Sequence, residues 1–266
     1  MSGRKDVNLQ KIRITKHEKI ETLHLCPVFR DLALSEVSHF ASRLVSRCYG
    51  RGDAIFHEGD RADHIYLVHV GLVRVCKLSQ SGKKLTFAIL SQGDIVAISA
   101  LREQFYRMSF EALTDAVVLH ISKDRFFEYV ANHPQAATGL IALLVKRLTW
   151  ECNKNVDRRS ERVEGRLVKC LSVLVSKFGT RLPITRKDLA NYAGTTTETA
   201  IRVLGGLKAK GIVSGSRILG EIIVSDPVML QTYGRTLGLT QTGAGEREFE
   251  RSGSERKKRS WKRRPA

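Results

Sequence analysis

Between Gly50 and Leu90 the chain is broken at short intervals by Gly50, Gly52-Asp53, Glu58-Gly59-Asp60, Gly71 and Ser81-Gly82. The stretches left between these breaks, such as Ile65-Tyr66-Leu67-Val68 and Leu72-Val73-Arg74-Val75-Cys76, are short and rich in β-branched and aromatic residues. That pattern predicts short antiparallel strands. Gln80-Ser81-Gly82-Lys83 has the composition of a hairpin turn in which glycine supplies the positive φ. Ala116-Val117-Val118-Leu119-His120-Ile121 supplies a late strand that could close a barrel or roll.

From Gln135 the period changes. Ala137, Ile141, Leu144, Leu148 and Cys152 recur at spacings of three and four, the signature of one apolar stripe on a helix, with Leu140 and Val145 widening it. Periodicity leaves two readings open: packing against the helix's own domain, or a two-stranded coiled coil joining two copies. A charged stretch, Asn153 to Glu164, separates this helix from a second compact region, which opens with an amphipathic helix over Arg162 to Lys177 ended by Gly179.

After Pro183 two helix starts lie close together. Thr185-Arg186-Lys187-Asp188 has the form of a capping box, which predicts a helix over Arg186 to Ala193. Gly194 stands where a left-handed C-cap would end it, and Thr195-Thr196-Thr197-Glu198 opens a second helix with another box. In that second helix Ala200, Val203, Leu204 and Leu207 form the buried stripe, leaving Thr197, Glu198, Ile201 and Arg202 opposite, near the N-terminus, where a recognition helix meets base edges. Arg202 can donate two hydrogen bonds to guanine and Glu198 can accept from cytosine; the plainer reading is a helix cap and a solvated arginine. Beyond Gly211, Ile212-Val213 and Gly220-Glu221-Ile222-Ile223-Val224 flank a loop holding Arg217, as in a β wing. Gly205-Gly206 inside the helix costs about 1 kcal/mol per glycine and has no explanation at the level of sequence.

A formal net charge of +18 and a pI near 10.0 favour a polyanionic partner, nucleic acid ahead of anionic lipid, although much of the excess sits in Arg4 to Lys19 and Arg256 to Arg264. No run approaches the roughly 18 apolar residues of a spanning helix, and Met1 to Ile20 carries charges where a signal peptide needs its apolar stretch. A cytoplasmic protein without a membrane partner is therefore expected. The five cysteines stand singly, without metal-site spacing; they read as core thiols, with a redox role left open for Cys26. An enzyme is disfavoured, because the chain has no P-loop, no Gly-x-Ser-x-Gly elbow and no metal spacing.

Taken together, Gly52-Asp53-Ala54-Ile55-Phe56-His57-Glu58-Gly59-Asp60, Tyr66-Leu67-Val68, Gly71-Leu72-Val73-Arg74-Val75 and Gly93-Asp94-Ile95, followed by Ile184-Thr185-Arg186 and Gly194 through Leu204, resemble the Crp/Fnr family of transcription regulators over about Leu25 to Asp226. The resemblance implies an α+β chain: an N-terminal double-stranded β-helix, the cyclic-nucleotide-binding type of β-roll, then a long dimerisation helix and a C-terminal winged helix-turn-helix. The implied divisions are a basic extension at 1–24, the roll at 25–133, the helix at 134–160, the DNA-binding domain at 161–231 and a basic tail at 232–266. It also implies a homodimer seamed by Ile141, Leu144, Leu148 and Cys152. DNA would be contacted by Thr195, Thr196, Thr197, Glu198, Thr199, Ile201, Arg202 and Arg217, with RNA polymerase as a further partner. The rival readings are a cyclic-nucleotide-responsive regulator and a signal-independent basic DNA-binding protein.

The resemblance implies an effector pocket at Gly93, Asp94, Ile98, Ser99, Arg107 and Ser109, but the pattern departs from the family's there. Ile98 stands where cyclic-nucleotide binders carry a ribose-binding Glu, and Tyr106-Arg107-Met108-Ser109 lacks their adjacent Arg-Ser or Arg-Thr pair. Arg107 is either an anion contact or a surface arginine. Cyclic AMP is disfavoured. An iron-sulfur cluster is disfavoured because Cys26 alone occupies the region of the ligating cysteines. Haem is disfavoured because Ala97 and Ser99 replace the Cys and His of the carbon-monoxide sensors. The effector stays unassigned.

Overall fold

The computed structural model describes residues 14–80, 82, 84–215, 220–237 and 239, and the backbone alone over 154–160. The chain divides into two compact units, Met1–Asn155 and Val156–Ala266. Arg217, Ser81, Lys83 and the tail beyond Leu239 lie outside the described residues.

The first unit begins with α1 (Lys16–Leu25) and α2 (Leu34–Arg43). Then come β1 (Val45–Tyr49), β2 (Ala54–Phe56), β3 (His64–Val70), β4 (Val73–Leu78), β5 (Lys84–Leu90), β6 (Ile95–Val96), a 3-10 turn at Ile98–Leu101, β7 (Ser109–Ala112) and β8 (Ala116–Ser122). The strands form two antiparallel sheets, ordered β1-β8-β3-β6 and β2-β7-β4-β5. Because the chain passes back and forth between the two sheets, the result is the expected roll. Gly71 shows why the punctuation is glycine: its φ is +88°, and a Cβ there would lie 2.4 Å from the Asp115 carbonyl oxygen.

Strand alternation gives the β3–β8 sheet two different faces. Ile65, Leu67, Leu119 and Ile121 pack against Leu23 of α1, Phe29, Phe40 of α2 and Phe126 of α3 (Lys123–Asn132). Phe29 and Phe40 lie with ring centroids 4.7 Å apart, and Phe40 and Tyr129 at 4.5 Å. Burial of each such side chain contributes about 1.5–3 kcal/mol. Tyr66, on the opposite face, meets Phe56 and Phe110 of the second sheet. The second sheet alternates likewise: Val73, Val75 and Phe110 pack in the core, whereas Arg74 and Lys84 both hydrogen-bond Glu111 on its other side.

The N-terminal stretch departs from the expected basic extension. Thr15 and Glu18 close a capping box that starts α1, and Thr22 and Leu23 are fully buried, so the roll unit begins before Leu25. The long helix α4 (Pro134–Ser160) runs into the charged stretch after Cys152 and ends at the expected boundary of 160. Ala136, Leu140 and Leu143 are buried in its own unit, which moves Leu140 off the stripe it was expected to widen. Ile141, Leu144 and Leu148 are 61%, 44% and 67% exposed, with Val145 and Cys152 also exposed.

The second unit consists of α5 (Val163–Phe178), β9 (Arg181–Leu182), α6 (Arg186–Ala193), α7 (Thr197–Ala209), β10 (Val213–Ser214), β11 (Ile222–Val224) and α8 (Pro227–Thr236). Leu167, Leu171 and Leu174 of α5 are buried with Leu189 of α6 and Leu204 and Leu207 of α7. An antiparallel sheet of order β10-β11-β9 closes the unit. Asp226 caps α8 by accepting from the Met229 amide, and Pro227 sits in its first turn. This helix carries the compact unit beyond the expected boundary at 231.

Candidate functional site

The pair α6–α7 is built from local chemistry. The Thr185 hydroxyl accepts from the Asp188 amide at 3.0 Å, and the Asp188 carboxylate accepts from the Thr185 amide at 3.0 Å, completing the predicted capping box. Gly194, at φ +67° and ψ +44°, ends α6 in the left-handed conformation, and its amide donates to the Ala190 carbonyl. One residue on, the Thr195 amide donates to the same carbonyl at 2.9 Å.

The start of α7 differs in detail from expectation. Thr196, not Thr195, is the N-cap, and its hydroxyl accepts from the Thr199 amide at 3.2 Å. No carboxylate stands at Thr199, so the expected second box is a single cap. Thr195 is buried in the turn. Thr197 and Thr199 are half-buried, and Glu198, Ile201 and Arg202 are exposed. Ala200, Leu204 and Leu207 face inward, with Val203 half-buried. A hydrogen bond from its own backbone amide, then one from the Thr196 hydroxyl, lowers the Glu198 pKa. Both hold its charge at the positive end of the helix dipole. Glu198 is thus a charged, exposed side chain in the first turn of α7, with Arg202 one turn further on.

The positions expected around an effector do not converge. Arg107 is exposed and makes a two-pronged contact with Glu103 at 2.8 and 3.1 Å. The Ser109 hydroxyl accepts from the Glu58 amide at 3.0 Å. Ile98 packs against the core and Ser99 is exposed. Gly93 lies under Leu25, where a Cβ would come within 2.6 Å of the leucine Cβ. The Asp94 carboxylate accepts from the Ser91 amide at 2.9 Å and closes its own turn. Neither a carboxylate for sugar hydroxyls nor a paired arginine and hydroxyl for a phosphate is assembled by these six residues, so they do not fit a cyclic nucleotide. Cys26 is fully buried, and burial pushes its thiol pKa up to about 12. A buried neutral thiol is a poor nucleophile and a poor ligand.

Sequence reasoning missed Arg147. From α4 its guanidinium donates to the Ile95 carbonyl and lies near Asp94 and Cys26, fixing the helix against the Gly93–Ile95 segment. Its position one residue before Leu148, off the apolar stripe, was the available signal.

A roll of alternating sheets and a winged pair of capped helices together define a two-domain transcription regulator. Comparison with known proteins agrees domain by domain. Residues 46–133 match the cyclic nucleotide-binding domain and residues 165–233 the Crp-like helix-turn-helix domain. The chain is 32% identical over 190 residues to the cyclic AMP receptor protein of Thermus thermophilus, covering 70% of this chain and 88% of that one. It is 28% identical over 170 residues to the anaerobic regulatory protein of Bacillus subtilis, covering 60% and 71%. FixK2 from Bradyrhizobium japonicum shares the fold, with a TM-score of 0.64 at 22% identity over 71% of this chain and 96% of that chain. The chain belongs to the Crp/Fnr family of DNA-binding transcription regulators.

Proposed function

We propose that this protein is a non-enzymatic, cytoplasmic regulator that binds an inverted-repeat DNA site as a homodimer and acts on RNA polymerase at the promoters it occupies. The observation that carries the reading is the outward face of α7. Glu198, Ile201 and Arg202 stand exposed at the N-terminal end of a helix held by a second, capped helix and a glycine turn, the arrangement by which such motifs enter a major groove. The exposed stripe Ile141, Leu144, Leu148 supports the dimer, because a single chain leaves three large apolar side chains of one helix in water. Two-fold symmetry in the protein requires a matching symmetry in its site. Thr195, Thr196, Thr197, Thr199 and Arg217 are the remaining contacts.

The test is selection of bound sequences from a random DNA pool with the full-length protein. An enriched inverted repeat with half-sites about one helical turn apart is expected. Enrichment of no sequence over the starting pool would overturn the reading in favour of a sequence-blind basic protein.

A further inference from the structure

The space between the two sheets of the roll is occupied by the protein's own aromatic side chains, centred on Tyr106. Its ring stacks on Phe56, centroids 3.9 Å apart and planes 27° from parallel. Tyr66 lies 5.1 Å from Phe56 and Phe110 lies 5.5 Å from it, so rings from β2, β3 and β7 bridge the sheets. Ile98, Val75 and Ala88 pack against the hydrophobic core to which Phe56, Tyr106 and Phe110 belong.

The hydroxyl of Tyr106 is held from several directions. It donates to the His64 carbonyl at 2.9 Å, accepts from the His64 amide at 3.1 Å and hydrogen-bonds the Tyr66 hydroxyl. The backbone of Tyr106 is tied down as well, its amide to the Asp60 carbonyl at 2.9 Å and its carbonyl to the Gly59 amide at 2.8 Å. A phenol with its hydrogen bonds satisfied and its ring stacked is at low free energy where it stands. A nucleotide entering the same space would have to expel the ring and break those bonds.

We propose that Tyr106 is a built-in ligand of this roll. It takes the place between the sheets that a small molecule would fill, and it pins the segment between the 3-10 turn and β7 onto β3 without one. Resting on the reading of the protein as a DNA-binding regulator, the inference gives that function a specific form: DNA binding does not respond to cyclic nucleotides.

The test uses the full-length protein, with melting temperature and affinity for its selected DNA site measured with and without millimolar cyclic AMP and cyclic GMP. Neither nucleotide should move the melting temperature, and DNA affinity should stay within about twofold. Tyr106→Ala should melt several degrees lower and gain an apolar cavity of the kind that binds small aromatic molecules. Its melting temperature should rise with p-cresol, the tyrosine side chain as a free molecule, while that of the wild type should not. Tyr106→Phe, which keeps the ring and loses the hydroxyl, should still ignore both nucleotides. If Tyr106→Ala fails to fold, Tyr106→Leu carries the same comparison. A wild-type protein stabilised by either nucleotide, or stabilised by p-cresol as much as a folded Tyr106 variant, would overturn the proposal. The melting data need no DNA, so loss of specific DNA binding would count against the regulator reading alone.

Discussion

The carbonyl oxygen of Pro27 lies so close to Gly139 that a Cβ on that glycine would come within 2.4 Å of it, and within 3.0 Å of the Val28 Cα. The contact docks α4 against the segment that follows α1. Gly139→Ala should therefore destabilise the protein by about 1–3 kcal/mol, although alanine is the better helix former by about 1 kcal/mol. Gly205 and Gly206 in α7 give the opposite case: a Cβ at either meets nothing within 4 Å, so alanine there should stabilise by about 0.5–1 kcal/mol each. Urea denaturation of the three single variants reads the sign directly. A stabilised Gly139→Ala would mean that the Pro27 segment yields at no cost.

Arg202→Ala should lower affinity for the selected DNA site by about 1–3 kcal/mol and leave random-sequence binding nearly unchanged, because base contacts specify and phosphate contacts only position. Glu198→Ala should do the same. Titration of each variant against specific and random duplexes at one salt concentration decides it. Full retention of preference by both would move base reading away from this face of α7.

Leu144→Asp combined with Leu148→Asp should yield a folded monomer. Both side chains are exposed in the single chain, so its own core loses nothing. Against a partner helix, by contrast, each would bury an unpaired carboxylate. Sedimentation reports the mass and circular dichroism the fold. A double variant that still sediments as a dimer would place the seam elsewhere.

Acid should weaken the roll through His120. Its pKa is pushed down to about 4, first by burial and then by His64, whose ring centroid is 5.2 Å away, and by Arg47. An unfolded histidine titrates near 6.5. Between these values the unfolded chain binds a proton that the folded one refuses, so stability falls as pH drops from about 6.5 to about 4 and levels off below. The contribution is on the order of 1–3 kcal/mol. His120→Gln should flatten that part of the stability curve, measured by denaturant titration at several pH values. An unchanged slope would mean that His120 is protonated in the fold.

What could be read from the sequence follows how local the determinants are. The α6–α7 pair was legible because its signals, Thr185 with Asp188 and then Gly194, act within a few residues of themselves. The roll was legible from glycines at forced turns such as Gly71. The helix α1 was hidden because its composition, Lys16 to Leu25, is mostly polar, and only tertiary packing shows Thr22 and Leu23 to be buried. The end of α4 at Ser160 came from the family resemblance and not from periodicity, because the polar residues after Cys152 carry no apolar stripe. The roll's interior was the least legible part. That Arg107 turns outward to Glu103 and Tyr106 turns inward to His64 is decided by partners 4 and 42 residues away.

Around residues 138 to 149 two sides of α4 are spoken for, and the third makes no demand on a neighbour. Ala136, Leu140, Leu143 and Arg147 look into the roll unit, and Ile141, Leu144 and Leu148 form the apolar stripe. Thr138, Ala142 and Thr149 lie on the third side, exposed, and the two threonine hydroxyls are satisfied by the carbonyls of Pro134 and Val145 one turn back in the same helix. Inherited variation in this helix should therefore collect at those positions. A fluorescent reporter attached through a cysteine at Ala142 or Thr149 would travel with the helix while leaving both working surfaces as they are.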